Sequence, residues 1–157
     1  LATLLVLRVW GNTLPSLRDV TATQWLFASV TISVIIAGIL TTGAGPHSGD
    51  DIASRNGFFF NDVLTAHRGA AIVALVLISV FLLRARTAQI RSAWGGVAAA
   101  YVGQIAVGVL QVQLGLPAEM VIIHLLLSMV IVSVTVRAIY ASTTSGSRAT
   151  ARNNAVK

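Results

Sequence analysis

The chain has 157 residues, of which 55% are hydrophobic and 10% are charged, and its formal net charge is +6. A soluble domain carries about 25% charged residues, and disordered or nucleic-acid-binding segments are polar and rich in charge. The composition excludes these classes and predicts an integral membrane protein. The absence of cysteine also excludes a disulfide framework, a thiolate zinc site and an iron–sulfur cluster within this chain.

The first ten residues, LATLLVLRVW, are typical of the end of an apolar helix. A signal peptide has its basic residues ahead of the apolar run, whereas Arg8 follows it here. We therefore predict that residues 1–10 are the remnant of a preceding transmembrane helix and that the chain is the C-terminal part of a longer protein. Residues 11–23 are predicted to be a cytoplasmic linker.

Four later segments are long enough to cross a bilayer, which takes about 20 mostly apolar residues. They cover about 24–42, 63–83, 94–116 and 118–140. Because lipid offers no hydrogen-bond partner to the backbone, such runs are expected to be helices. The sequence thus predicts an all-α, four-helix up-down membrane bundle over 24–140, with an outer loop at 43–62 and a disordered cytoplasmic tail at 141–157.

The charged residues predict how the bundle is oriented. If the four spans alternate, nine of the eleven basic residues fall on one side. Four of the five acidic residues fall on the other side, and they are Asp50, Asp51, Asp62 and Glu119. Cytoplasmic loops carry the excess of Lys and Arg, so both ends are predicted to be cytoplasmic. The net positive charge is explained by topology, and no nucleic-acid partner is expected.

Two of the three histidines lie inside predicted spans at matching depths. His67 comes about five residues into the second span, and His124 comes seven residues after Pro117. Both helices run from outside to inside, and the second and fourth helices of such a bundle lie diagonally across its core. The two imidazoles are therefore expected to face each other near the outer surface.

Either histidine alone is explained best as a polar contact between helices. The pair at one depth favours haem, because haem iron accepts axial histidine ligands. Zinc is a weaker alternative, since it needs third and fourth ligands, and no carboxylate or thiol lies at that depth within the spans. The pair therefore predicts a haem bound through its iron by two histidines.

Other polar residues suggest supporting roles. Arg68 could neutralise an anionic group such as a haem propionate or extend to the outer interface, and the two roles are compatible. Gln104 and Gln111 lie on one face of the third span, where interhelical hydrogen bonding is favoured over lining a haem or quinone pocket. In the outer loop, Phe58–Phe60 is predicted to lie on the membrane, and His47 is either a lid residue or solvated.

Several motifs together resemble the C-terminal half of bacterial haem A synthase. They are TGAGPHSGD after the first span, AHRGAA at the start of the second, and GVLQVQLGLP followed by HLLLS around the start of the fourth. The resemblance covers about residues 42–132. It implies an eight-helix protein of two pseudo-symmetric halves, in which the C-terminal half binds haem b between His67 and His124.

The resemblance also implies the reaction. The family oxidises the methyl group at C8 of haem O to a formyl group, which gives haem A for terminal oxidases. The haem O site and a catalytic carboxylate are expected in the N-terminal half, so no catalytic residue is assigned to this chain. Some members carry a cysteine pair in the outer loop of each half, and this loop has none.

We therefore predict the haem-b-binding half of a haem A synthase in a bacterial plasma membrane. The expected roles are iron ligation for His67 and His124, propionate binding for Arg68 and Arg55, and an outer lid for His47 with Phe58–Phe60. Haem O synthase or another oxidase-assembly protein is an expected partner. The alternatives are a b-type cytochrome electron-transfer subunit without substrate chemistry, and a membrane scaffold or transporter half whose histidines are structural.

Overall fold

The structure, a computed structural model, describes residues 17–45 and 56–155, and helices dominate these ranges. The long helices are α1 (Ala22–Ala44), α2 (Phe60–Arg84), α3 (Ala88–Gln113) and α4 (Ala118–Ala155). A short 3-10 turn at Leu17–Asp19 precedes α1, and no strand occurs in the described ranges. The predicted all-α, four-helix fold is confirmed. The predicted helix remnant at 1–10 lies outside the described residues, as do residues 11–16 of the predicted linker and the loop segment 46–55.

All four helices are long and apolar enough to cross a membrane, and the candidate span in α4 covers Ala118–Thr144. Their outward faces carry large apolar side chains, such as Leu83 and Met129, which are 87% and 67% exposed. Apolar surface of this extent is not stable in water and requires a nonaqueous environment. The chain is therefore a multi-pass membrane protein surrounded by a lipid bilayer.

Local sequence signals explain where the helices begin. Thr21 and Gln24 form a capping box at α1, in which the Thr21 hydroxyl accepts from the Gln24 amide and the Gln24 side chain accepts from the Thr21 amide. Thr87 accepts a hydrogen bond from the Ile90 amide at the start of α3. These contacts satisfy amide donors that have no partner inside the helix.

Helix α3 lies several residues earlier in the chain than the hydropathy pattern predicts. It begins at Ala88 rather than 94, because Thr87 caps a first turn that is too polar for the apolar pattern to include. It ends at Gln113 rather than 116, because Gly115 and Leu116 both adopt positive φ angles, of 78° and 63°. A left-handed backbone cannot continue a right-handed helix.

Helix α4 continues to Ala155, over a segment for which the composition predicts disorder from residue 141. The segment contains no proline, and its Ala and Arg residues favour a helix. Hydroxyl groups at Ser142 and Thr144 also bond to carbonyls four residues earlier, which satisfies them within the helix. Polar composition therefore marks the end of the membrane span without ending the helix.

The helices pack as two hairpins, α1 with α2 and α3 with α4, which share the most extensive interfaces. The hairpins meet through smaller α2–α3 and α1–α4 contacts, so α2 and α4 lie across the diagonal, as predicted. We name the end at which α2 and α4 begin the outer end of the bundle, and the opposite end the inner end.

An aromatic cluster of Phe27, Phe81, Trp94 and Tyr101 fills the inner part of the bundle. Phe81 stacks on Trp94 with ring centroids 3.9 Å apart and planes 9° apart. Phe27 meets Trp94 edge-on at 5.3 Å and is fully buried. The indole N–H of Trp94 donates to the Ser142 hydroxyl at 3.1 Å. The cluster joins all four helices below the cavity described next.

Because of this cluster, we expect alanine substitution of two tryptophans to have very different effects on stability. Trp94 is 1% exposed and Trp25 is 48% exposed. Replacing Trp94 by Ala removes the stack and the hydrogen bond, and we expect the free energy of unfolding in detergent to fall by about 3–5 kcal/mol. Trp25→Ala is the matched control, with an expected loss of about 1 kcal/mol or less. Equal losses for the two variants would contradict a stabilising role of the cluster.

Candidate functional site

A cavity of about 570 Å³ lies between the four helices, on the outer side of the aromatic cluster. Thr31 and Tyr101 form its inner end, while Gly45 and Leu116 lie near its outer end. Apart from a few polar groups, its walls are apolar. Its volume falls within the range of about 300–1,000 Å³ that is typical of ligand-binding pockets.

His67 and His124 face each other in this cavity from the two diagonal helices. Their ring centroids are 6.3 Å apart, and their planes make an angle of 67°. Two imidazoles that bind one metal ion at about 2.0 Å per nitrogen place their ring centroids about 6 Å apart. The separation therefore fits two histidines that share one axially bound metal. The sequence prediction that the pair would meet across the bundle is confirmed, whereas the ligand role stays a prediction.

Each imidazole packs against a glycine of the neighbouring helix in its own hairpin. A Cβ atom at Gly38 would lie 3.1 Å from Cε1 of His67, and one at Gly108 would lie 3.0 Å from Cε1 of His124. Both distances are shorter than an ordinary carbon–carbon contact. Glycine at these two positions therefore allows the rings to lie close against α1 and α3.

A backbone hydrogen bond orients His67. Its Nδ1 lies 2.9 Å from the carbonyl oxygen of Val34. Because a carbonyl only accepts, Nδ1 carries the proton and donates it, which leaves the lone pair on Nε2 available for a metal. This is the usual way in which a protein selects the tautomer of a histidine ligand.

The surroundings of His124 repeat those of His67. Gln104 lies four residues before Gly108, as Val34 lies four before Gly38. A Cβ at Gly108 would lie 3.5 Å from Nδ1 of His124, which is buried without a hydrogen-bond partner among the described residues. The two hairpins thus share a contact between glycine and histidine and differ in the hydrogen bond at Nδ1.

The sequence-based predictions did not identify the two glycines as partners of the histidines. Neither Gly38 nor Gly108 stands out in the sequence as the partner of a histidine. A signal was present, because Gly38 and Gly108 each precede another glycine, Gly45 or Gly115, by seven residues. Which face of each helix meets the histidine depends on how the helices pack, and this spacing does not determine it.

The sequence suggests two roles for the glutamines of α3, which are interhelical hydrogen bonding and lining a pocket. The side-chain amide of Gln104 donates to the backbone carbonyl of His124 at 3.0 Å, which is the interhelical hydrogen bond that the sequence favours. Gln104 and Gln111 also line the cavity. The side-chain oxygens of both are buried without a hydrogen-bond partner.

The remaining predicted site residues divide into two groups. Arg68 is exposed and contributes to the cavity wall beside His67. Phe60 begins α2 and also lines the cavity, whereas Phe58 and Phe59 precede the helix and are exposed. His47 and Arg55 lie outside the described residues.

The donor set at the cavity consists of the two imidazoles. Within residues 17–45 and 56–155, no group of three or more His, Cys, Asp and Glu side chains is arranged to hold a metal ion. Two imidazoles would be sufficient protein ligands for a haem iron, because the macrocycle supplies four donors of its own. The residues present therefore fit a haem.

Comparisons with protein-family models, curated proteins and solved structures found no match to this chain.

Proposed function

We propose that this protein binds a b-type haem in the cavity, with His67 and His124 as its two axial ligands. The observation that carries the proposal is the 6.3 Å separation of the two imidazole centroids across an otherwise mainly apolar cavity. A bound haem supplies one-electron redox chemistry. The chain's own residues hold and orient the ligand, and the apolar walls exclude water from it.

On this proposal the chain is the haem-b-binding half of a haem A synthase, which oxidises the C8 methyl group of haem O to a formyl group. Support comes from the motifs that surround the site, since AHRGAA contains His67 and HLLLS begins with His124. The haem O site, the catalytic carboxylate and contacts with haem O synthase or another oxidase-assembly protein belong to the intact enzyme. The expected location is a bacterial plasma membrane.

The charge distribution supports cytoplasmic ends for the chain. Arg84, Arg86 and Arg91 cluster at the α2–α3 connection, at the inner end of the bundle. Asp62 and Glu119 lie in the first turns of α2 and α4, at the outer end. Basic residues mark the cytoplasmic side, so the haem site would lie nearer the external surface.

A b-type cytochrome that only transfers electrons is the second candidate. Besides the two imidazoles, the polar residues of the described cavity wall are Arg68, two glutamines and several hydroxyl-bearing side chains, among them Thr31 and Tyr101. These groups can bind and orient a macrocycle without taking part in its oxidation. This observation favours the electron-transfer alternative.

The two functions are distinguished by the products formed from haem O. Membranes that contain the protein in its host context are supplied with haem O, and the extracted pigments are separated and tested for the formyl group. Formation of haem A that is lost in His67→Ala supports the synthase. A haem-loaded protein that leaves haem O unchanged supports the cytochrome, and a protein that binds no haem contradicts both.

Substitution of Arg68 tests whether its side chain contributes to haem binding through its charge or through its packing. Charge-assisted hydrogen bonds contribute about 1.5–3 kcal/mol, so we expect Arg68→Gln to weaken haem b binding about tenfold if the guanidinium binds a propionate. The dimethyl ester of haem b, which has no carboxylate, is expected to bind the variant and the wild type equally. Affinities are measured by spectral titration in detergent.

Arg84→Gln, at the inner end of α2, is the matched control and is expected to leave both affinities unchanged. If Arg68→Gln weakens the ester as much as the free acid, the side chain acts by packing rather than by binding the propionate.

A further inference from the structure

The outer end of the cavity is formed by a leucine with an unfavourable backbone. Leu116 lies in the turn between α3 and α4 and has a φ angle of 63°. Its side chain lines the cavity, and its Cδ1 would lie 3.7 Å from a Cβ placed on Gly45 at the end of α1. Leu116 therefore reaches from one hairpin to the other across the outer end of the cavity.

The left-handed conformation is costly at this position for two reasons. A Cβ atom makes positive φ unfavourable in any residue other than glycine, and large side chains adopt it rarely. Leu116 also precedes Pro117, and a residue before proline is restricted to extended conformations. Glycine would avoid the Cβ penalty, and it occupies the adjacent position 115 at a φ angle of 78°, but at position 116 it would leave the turn without a side chain.

Hydrogen bonds hold Leu116 in this conformation. Its amide donates to the carbonyl oxygen of Gln111 at 2.7 Å, and the Gly115 amide donates to the Val112 carbonyl at 3.3 Å. These bonds satisfy carbonyls at the end of α3 that have no partner within the helix. A Cβ at Gly45 would lie at an ordinary van der Waals distance from Cδ1 of Leu116, so the leucine side chain lies beside the end of α1.

Strain that a surrounding structure maintains is concentrated at ligand-binding and switching sites. We propose that Leu116 is a binding-site residue that closes the outer end of the cavity, and that the strained conformation is retained because it directs the side chain towards Gly45. The side chain slows the entry of water and the loss of the bound ligand. The proposal rests on the proposed function only for the identity of that ligand.

Two substitutions distinguish the effect of the Leu116 side chain from the effect of its strained backbone. Leu116→Gly removes both the side chain and the penalty for positive φ, whereas Leu116→Ala removes the side chain but keeps a Cβ. We expect both variants to open the cavity. In the haem-free protein, we expect Leu116→Gly to unfold at a higher denaturant concentration than Leu116→Ala, because Leu116→Gly removes the penalty for positive φ.

Access to the cavity can be measured without haem, because the chain contains no cysteine. Ala71 lines the cavity, so Ala71→Cys provides a single thiol inside it. The rate at which a water-soluble methanethiosulfonate modifies this thiol is expected to rise about tenfold when Leu116→Gly or Leu116→Ala is added. Glu119→Cys, which is exposed at the start of α4, is the control and should react at one rate in all backgrounds.

The same variants are then loaded with haem b, and its transfer to an excess of a soluble apo-haem protein is followed. Transfer about ten times faster than from the wild type supports the proposal. Unchanged thiol modification in both variants would overturn it. Faster modification together with a wild type that binds no haem would instead contradict the proposed function and leave the role of Leu116 supported.

Discussion

Replacing either histidine of the pair by alanine is expected to remove the bound haem. His67→Ala and His124→Ala each delete one of the two proposed axial ligands, and even the loss of a supporting group costs about 10–100-fold in metal affinity. We therefore expect at least that loss in haem affinity and the disappearance of the low-spin visible spectrum. The measurements are haem content per protein after purification and titration with added haem.

The control for this experiment is a substitution in the same bundle that leaves both histidines in place. Ser79→Ala changes an exposed residue of α2 whose hydroxyl donates to the Leu75 carbonyl of the same helix, and it should leave haem content unchanged. Added imidazole is expected to restore part of the low-spin spectrum in His67→Ala by entering the space that the side chain leaves. A low-spin spectrum that survives in both histidine variants would show that other groups bind the iron.

The second large effect on haem affinity is expected when Gly108 is replaced by a larger residue. Its Cβ would lie 3.0 Å from Cε1 of His124, so the two extra methyl groups of Gly108→Val must displace the imidazole from its position against α3. Overpacking of this kind costs about 1–3 kcal/mol, and we expect haem affinity to fall by about tenfold or more. Spectral titration measures the affinity, and the ferric spectrum reports whether the iron remains low-spin.

Helix α3 also provides the matched control. A Cβ at Gly103 would meet nothing within 4 Å, so Gly103→Val adds the same side chain five residues away without touching the histidine. It is expected to bind haem as the wild type does. An equal loss of affinity in both variants would indicate a general effect of valine on the helix and would contradict the packing role of Gly108.

The parts of the fold that hydropathy controls could be predicted from the sequence. Twenty or so apolar residues must form a membrane-spanning helix, because lipid cannot satisfy an unpaired backbone. The matching depths of His67 and His124 follow from the helix rise and the alternating direction of the spans. Their meeting across the cavity was therefore predictable without coordinates.

Features that depend on contacts between helices could not be predicted in the same way. The position of Gly38 against His67 and the hydrogen bond from His67 to the Val34 carbonyl depend on the rotation of α1 about its axis. The end of α3 depends on two successive left-handed residues, and hydropathy favours continuing the span through Leu116. The long extension of α4 was missed because a polar composition was equated with disorder.

The most direct test of the bis-histidine haem site is the reduced-minus-oxidised visible spectrum of the purified wild-type protein, expressed with haem supplied. The close approach of two imidazoles in a mainly apolar cavity predicts a low-spin b-type spectrum with one haem per chain. A protein that remains colourless, or that binds haem only in a high-spin form, would contradict the account.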